Sequence, residues 1–400
     1  MREAKKTSRG RGRAPNQRGA RGVDSRPGEK PIHRNASEPR TNAKSRGRSR
    51  SFEGENIYEA EILDGLKQIA EREILQLLGR DVRFIITNNP SHLTFAYPGS
   101  TAKLLRLRTV VAVFKLLYFK LPHPFSIVHG AALDRLLDTI KEVRTKQKFT
   151  SFRIGAAGSN SAEFKKIKEI LSRESGLPLD EEDGDMPIRF RRSRLDSFGW
   201  DVLIRLTLRP LSARAWRKAN MPGALNATIA AAMIQYLEPR RTDRFLNVMC
   251  GSGTFLVERA LLGDVELLVG VDSSKEAIGL SRSNLEGVPQ KVKLLCEEIG
   301  QLSLPDRSFT TICADLPWGR LIGEKHELPE IYRQTIKQVA RVSVTGARFA
   351  VLTQESNLFD SELKKLSYLW HKALATRIKQ SDYSPTLYIL VRSENVFRND

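Results

Sequence analysis

Two rhythms of apolar and polar residues follow one another along the 400-residue chain. In the first, helical and strand periods are mixed. Ile62, Leu66, Ile69, Ala70, Ile74, Leu77 and Leu78 recur at three- and four-residue spacing, which predicts an amphipathic helix stopped by Gly79. "VRFII" (82–86) and "HLTFAY" (92–97) predict strands about the turn "TNNPS". A second helix is expected from about Thr101 to Ala112, running into an apolar stretch with strand character. "DRLLDTIKEVRTK" (134–146) and "SAEFKKIKEILSRESG" (161–176) have helical periods, and "SFRIGAAG" (151–158) reads as a strand between them. "MPIRFRRSR" and "GWDVLIRLTL" read as two strands around Asp196 to Gly199. In the second rhythm, from Arg240 onward, short apolar runs alternate with helical segments: "RFLNVMC", "ELLVGVD", "VKLLC", "FTTICAD", "ARFAVLT" and "TLYILV". That alternation predicts an α/β fold with a mostly parallel, doubly wound, Rossmann-like sheet. A Pro- and Gly-punctuated connector, "PLSARAWRKANMPGALNATIAAAMIQYL" (210–237), joins the two parts and ends in an apolar helix. The expected organisation is a tail over 1–52, an α+β region over 53–209 and the doubly wound domain over 210–400.

Charge adds a partner class. The chain carries a formal charge of +20 with a pI near 10.0, and its first 50 residues hold 16 Lys and Arg against 4 Asp and Glu. That arm is rich in Arg, Gly, Ser and Pro ("SRGRGRAP", "QRGARG", "KSRGRSRS"), which predicts disorder and contact with nucleic-acid phosphates. A solubilising tail is the plainer alternative. No stretch reaches the ~18–20 apolar residues of a membrane span, and the run Val110 to Phe119 is short and interrupted by Lys115. No apolar leader follows the basic N-terminus, and Cys250, Cys296 and Cys313 lack paired spacing. A cytoplasmic protein with reduced thiols, no membrane and no metal is therefore expected, with a monomer assumed.

The chemistry concentrates at the predicted strand ends. "NVMCGSGTFLVERA" (247–260) places Gly251-Ser252-Gly253 between a strand and a helix, where a backbone without side chains lets a ligand approach the helix N-terminus. The next strand ends at Asp272, placed to accept hydrogen bonds from ribose hydroxyls. The P-loop pattern is absent, and Leu256 stands where a dinucleotide fingerprint has its third glycine. A nucleoside cofactor without a pyrophosphate, such as S-adenosylmethionine, fits what is left; a plain glycine turn is the alternative. The third strand ends in Cys296-Glu297-Glu298 and the fourth in Asp315-Leu316-Pro317-Trp318, so the first four strand ends carry polar or glycine chemistry at one edge of the sheet. Glu258, a turn into the helix after the loop, is open to a surface reading and is assigned no catalytic role.

Taken together, "MCGSGT", "GVDSS" and "DLPWG" resemble motifs I, II and IV of the class I S-adenosylmethionine-dependent methyltransferases. The Asp-Leu-Pro-aromatic-Gly variant, with the connector 210–233, is similar to the THUMP-domain RNA (guanine-N2) methyltransferases. The resemblance is specific over about 200–393 and loose over 57–200, where it implies a ferredoxin-like and THUMP-like RNA-binding region. It implies a cofactor site of Asn247, Met249, Cys250, Gly251, Ser252, Gly253, Thr254, Asp272, Ser273, Glu298 and Asp315. Asn247 and Glu298 stand where relatives often have Asp. It implies catalysis by Asp315, the Leu316 carbonyl, Pro317 and Trp318 on a guanine amine of RNA, tRNA above all. Asn226, Trp216, Arg217 and Arg320 are the candidate RNA contacts, with Trp216 available to stack and "RFRRSR" (189–194) open to phosphate contact or plain solvation. The alternatives are guanine amines of ribosomal RNA, amines of DNA, or RNA binding without catalysis.

Overall fold

The computed structural model describes residues 54–319, 326–380 and 383–394. The expected disordered arm and Arg320 lie outside the described residues. The described residues pack as a single unit built on two seven-stranded sheets.

The first half runs β1 (Ile57–Glu61), α1 (Lys67–Leu78), β2 (Arg83–Ile85), β3 (His92–Ala96), α2 (Thr101–Leu104), β4 (Ala112–Phe119), α3 (Gly130–Lys146), β5 (Phe152–Ala156), α4 (Ala162–Ser175), β6 (Met186–Arg192) and β7 (Trp200–Arg205). Its sheet has the order β2-β3-β1-β4-β7-β6-β5, antiparallel except for the pair β5–β6. The second half runs α5 (Ala227–Tyr236), β8 (Arg244–Val248), α6 (Thr254–Leu261), β9 (Leu267–Asp272), α7 (Lys275–Asn284), β10 (Val292–Cys296), β11 (Phe309–Asp315), α8 (Leu328–Val342), β12 (Ser343–Thr353), α9 (Ser356–Lys365), β13 (Trp370–Arg377) and β14 (Thr386–Arg392). Its order is β10-β9-β8-β11-β12-β14-β13, with β10 to β12 parallel and β14 and β13 antiparallel at one edge.

Most elements follow their sequence signals. Ser161 caps α4 through a bond from the Phe164 amide, and Gly176 closes it in the left-handed region (φ 67°). One expectation is corrected, and two strands appear where the sequence announced none. The helix expected from Thr101 to Ala112 is a single turn, and the apolar run behind it becomes β4, central in its sheet between β1 and β7 and buried on both faces. Residues 57–61, just before the helical period, form β1 between β3 and β4. Finally β13, whose side chains are mostly exposed, pairs with β14 as an antiparallel edge that no apolar run announces.

The two halves are joined by packing. Leu66 and Ile69 share a core with Ile229, Met233, Ile378 and Leu387. The Lys379 amide donates to the Asp64 carbonyl at 3.0 Å. A Cβ on Gly65 would stand 2.2 Å from the Arg377 carbonyl oxygen, so glycine is what lets α1 enter at that point.

Candidate active site

Strand order reverses between β8 and β11, and the crevice beyond their carboxyl ends is where open α/β sheets bind ligands. The glycine loop follows β8. Gly253 has φ +81° and a Cβ there would lie 2.9 Å from Ser281 Oγ, so the position excludes a side chain on both grounds. Met249 enters the loop at φ 53°, an uncommon conformation for a non-glycine residue that its surroundings must hold. The Gly251 amide donates to Asp272 Oδ2 at 2.8 Å, Ser281 Oγ donates to the Gly251 carbonyl at 2.7 Å, and Asn284 Nδ2 donates to the Ser252 carbonyl at 2.9 Å. Ser281 and Asn284 stand on the buried stripe of α7 with Ala277 and Ile278. Two polar residues on an apolar stripe are the signal that would have found them.

Asp272 is half-buried at the end of β9, its second oxygen accepting from the Ser274 amide at 3.0 Å. Each oxygen keeps a further lone pair for a ribose hydroxyl. Ser273 and Glu298 are exposed beside it, and Ser252 and Thr254 are buried in the loop and first helical turn. Asn247 is fully buried, its Nδ2 donating to the Val248 and Cys313 carbonyls across the β8–β11 seam. Cys250 is buried too; burial and then the Asp272 charge push its thiol up to about 12, which makes it wall rather than nucleophile.

The Asp315-Leu316-Pro317-Trp318 turn follows β11. The Leu316 amide donates to the Leu352 carbonyl at 2.9 Å, continuing the pairing with β12. Tyr332, fully buried on α8, donates its hydroxyl to the Pro317 carbonyl at 2.8 Å and lies 2.7 Å from Thr353 Oγ1. The turn is thus held from behind by two hydroxyls that no motif announced. Burial pushes the Asp315 carboxyl up to about 7, and the nearby Trp318 N–H offsets part of that rise without forming a hydrogen bond of ordinary geometry.

Three buried polar atoms here have no hydrogen-bond partner among the described residues: Asp315 Oδ1, Trp318 Nε1 and Asn247 Oδ1. Buried polar groups are seldom left so. Two acceptors and a donor grouped at the switch point, beside a loop that admits no side chain, suit a polar nucleoside ligand with a cationic end. The residues therefore fit S-adenosylmethionine.

The proposed RNA contacts fare differently. Trp216 Nε1 donates to Glu258 Oε1 at 3.1 Å, and Arg217 donates to the Leu225 carbonyl (2.8 Å) and Thr254 Oγ1 (3.1 Å) while lying over the Trp216 ring. Asn226 caps α5 by accepting from the Thr228 amide at 2.8 Å. Trp216 and Arg217 thus fasten the connector to the glycine-loop helix, while Asn226 starts the helix α5. Glu258 corrects the surface reading: it is fully buried and also accepts from Arg108 Nε (2.8 Å) and Arg214 Nε (2.9 Å). In "RFRRSR", Arg191 is held by Glu59 and Asp201, and Arg189 by Glu61.

A glycine loop after the first parallel strand, an acid after the second and Asp-Leu-Pro-Trp after the fourth define a class I methyltransferase domain. Residues 214–382 match the family described as UPF0020: RMKL-like, methyltransferase domain. The chain is 24% identical over 190 residues to the tRNA (guanine(6)-N(2))-methyltransferase THUMP3 of Mus musculus, covering 44% of this chain and 38% of the relative. It is 27% identical over 241 residues to the U6 snRNA (guanine-N(2))-methyltransferase THUMPD2 of Bos taurus, covering 58% of this chain and 46% of the relative. It thus spans less than half the length of these relatives. The crystal structure of TrmN from Thermus thermophilus superposes with a TM-score of 0.69 at 22% identity, over 84% of this chain and 99% of that one, so both halves share its fold.

Proposed function

We propose that the chain transfers a methyl group to the exocyclic N2 amine of a guanosine in RNA, with tRNA as the substrate. The observation that carries this reading is Asp315: a half-buried carboxylate with one buried oxygen that no described residue partners, on a turn held from behind, at the switch point opposite the glycine loop. S-adenosylmethionine supplies the electrophilic methyl when bound. Gly251 to Thr254, Asp272 and Asn247 would hold it.

A guanine amine is a weak nucleophile because its lone pair is delocalised into the ring. Asp315 and the Leu316 carbonyl accept its two hydrogens and turn the lone pair toward the methyl donor. Pro317 limits the backbone freedom of that turn, and Tyr332 holds its carbonyl. Asp315 is also suited to receive the proton the amine gives up, since a carboxyl near 7 is matched to neutral operating pH. Trp318 offers a face for a base that has left its helix. Most of the acceleration comes from positioning two bound reactants. RNA is favoured over DNA by Leu316, which stands where DNA amino-methyltransferases usually carry a first proline, and by the similarity to tRNA and U6 snRNA methyltransferases.

The test is calorimetric binding of S-adenosylmethionine, followed by tritiated methyl transfer to bulk tRNA, U6 snRNA, ribosomal RNA and DNA. N2-methylguanosine in digested tRNA is the expected product. Label in DNA alone, or no transfer at all, would overturn the reading.

A further inference from the structure

We propose that Tyr383 forms the second aromatic wall of the substrate site, stacking with Trp318 on the base that presents its amine to Asp315. The inference rests on the RNA-methylation reading above and names a residue that no motif contains.

Four observations converge on it. The Trp318 and Tyr383 rings lie 5.8 Å apart at 49°. At that tilt neither ring covers the face of the other, so both keep π surface for a third planar group. Tyr383 is 42% exposed although it contacts a half-buried tryptophan, an unusual position for a ring whose task is packing. Its backbone is nonetheless firmly placed: Gln380 and Tyr383 exchange reciprocal amide-to-carbonyl bonds of 2.9 Å, and the Ser384 amide donates to Gln354 Oε1 at 3.3 Å. Gln354 follows β12, and the antiparallel pairing of β14 with β12 brings the start of β14 to the carboxyl edge where Asp315 stands. Finally, Asp315 Oδ1 and Trp318 Nε1 are buried beside the ring pair with no hydrogen-bond partner among the described residues, which suits a ligand that both donates and accepts. A nucleobase is flat and bears both kinds of group on its edge. It satisfies the two polar atoms and the two rings at once.

Stacking depends on a planar π face, whereas packing against Trp318 depends on apolar volume. Full-length chains carrying Tyr383→Ala, Tyr383→Leu and Tyr383→Phe separate the two in steady-state methyl transfer to tRNA, with S-adenosylmethionine affinity measured by calorimetry in parallel. Tyr383→Ala and Tyr383→Leu should each lower kcat/KM for tRNA roughly 5- to 50-fold. Tyr383→Phe should stay within about 2-fold of the parent, and cofactor affinity should be unchanged throughout. Restoration of activity by Tyr383→Leu would assign the ring to packing and overturn the proposal. So would an unchanged kcat/KM in Tyr383→Ala, or a loss of cofactor binding in step with activity. Those outcomes leave the methylation reading intact; failure of the parent chain to methylate any RNA would instead remove that reading and this one with it.

Discussion

Asp315 keeps one buried carboxylate oxygen without a partner among the described residues, so its charge is coupled to pH in folding and, in the proposed reaction, in methyl transfer. Its folded value of about 7 lies above the 3.8 of an unperturbed aspartate, so the folded chain holds a proton that the unfolded chain has lost between those limits. The stability it contributes is complete below about pH 4 and is lost as pH rises toward 7. Asp315→Asn should flatten that slope, raising denaturant-measured stability at pH 8 by roughly 1–3 kcal/mol while leaving it nearly unchanged at pH 4. In the parent chain kcat/KM should climb with pH up to about 7 and level above it, because the ionised form is the acceptor. In the variant, methyl transfer should fall by more than ~100-fold with cofactor affinity nearly intact. Tyr332 acts one step behind. Tyr332→Phe leaves the Pro317 carbonyl without its donor and should lower kcat several-fold, at about 1–3 kcal/mol of stability. A change in cofactor affinity alone, with kcat preserved, would disprove its hold on the turn.

The helix α6 is where the elements are tied together. Its first turn adjoins the glycine loop, and its Glu258 gathers Arg108 from the first half together with Arg214 and Trp216 from the connector. Arg108 is itself fixed by α1, since Glu73 accepts from the Arg108 and Thr109 amides at 2.8 Å each. The connector is clamped again by Asn284, which accepts from the Lys218 and Ala219 amides and donates to the Ala219 and Ser252 carbonyls, all at 2.9 Å. Removing one partner of a buried ion pair costs far more than the pair's net worth, because the charges left behind stay desolvated. Glu258→Ala strands two arginines and should cost about 3–5 kcal/mol in urea unfolding, while Lys218→Ala, whose ion pair with Glu286 is solvent-exposed, should cost under about 1 kcal/mol. Equal costs would mean that Glu258 is no hub.

Across the whole molecule the first sheet and the second share a core at Leu66, Ile69, Ile229 and Met233, so under the proposed function an RNA held by the one would be presented to the other without a loose hinge. The basic arm adds a separate electrostatic contribution. Deleting residues 1–50 removes 16 Lys and Arg against 4 Asp and Glu, and should weaken RNA binding while making its logarithm fall less steeply with salt. Filter binding at several salt concentrations reads that slope; an unchanged slope would make the arm a passenger.

Much of this is legible in the amino-acid sequence by itself. Gly251, Gly253, Asp272 and the Asp315–Trp318 turn announce themselves because the roles proposed for them, backbone approach, ribose binding and amine chemistry, each demand a residue type at a fixed offset from a strand end. Alternating apolar runs announce the parallel sheet for the same local reason, as burial on both faces leaves no other pattern. What the sequence leaves unsaid shares one cause. Arg108 and Glu258 are 150 residues apart in the chain, Tyr332 and Pro317 15, and Tyr383 stands in a segment that carries no motif. An acid, a tyrosine and an arginine are ordinary surface residues until a partner from another element removes their water. Local chemistry is written in short spacings, whereas burial and pairing are properties of the folded chain, and they give Trp216, Arg217 and Asn226 partners within the protein that no spacing announces.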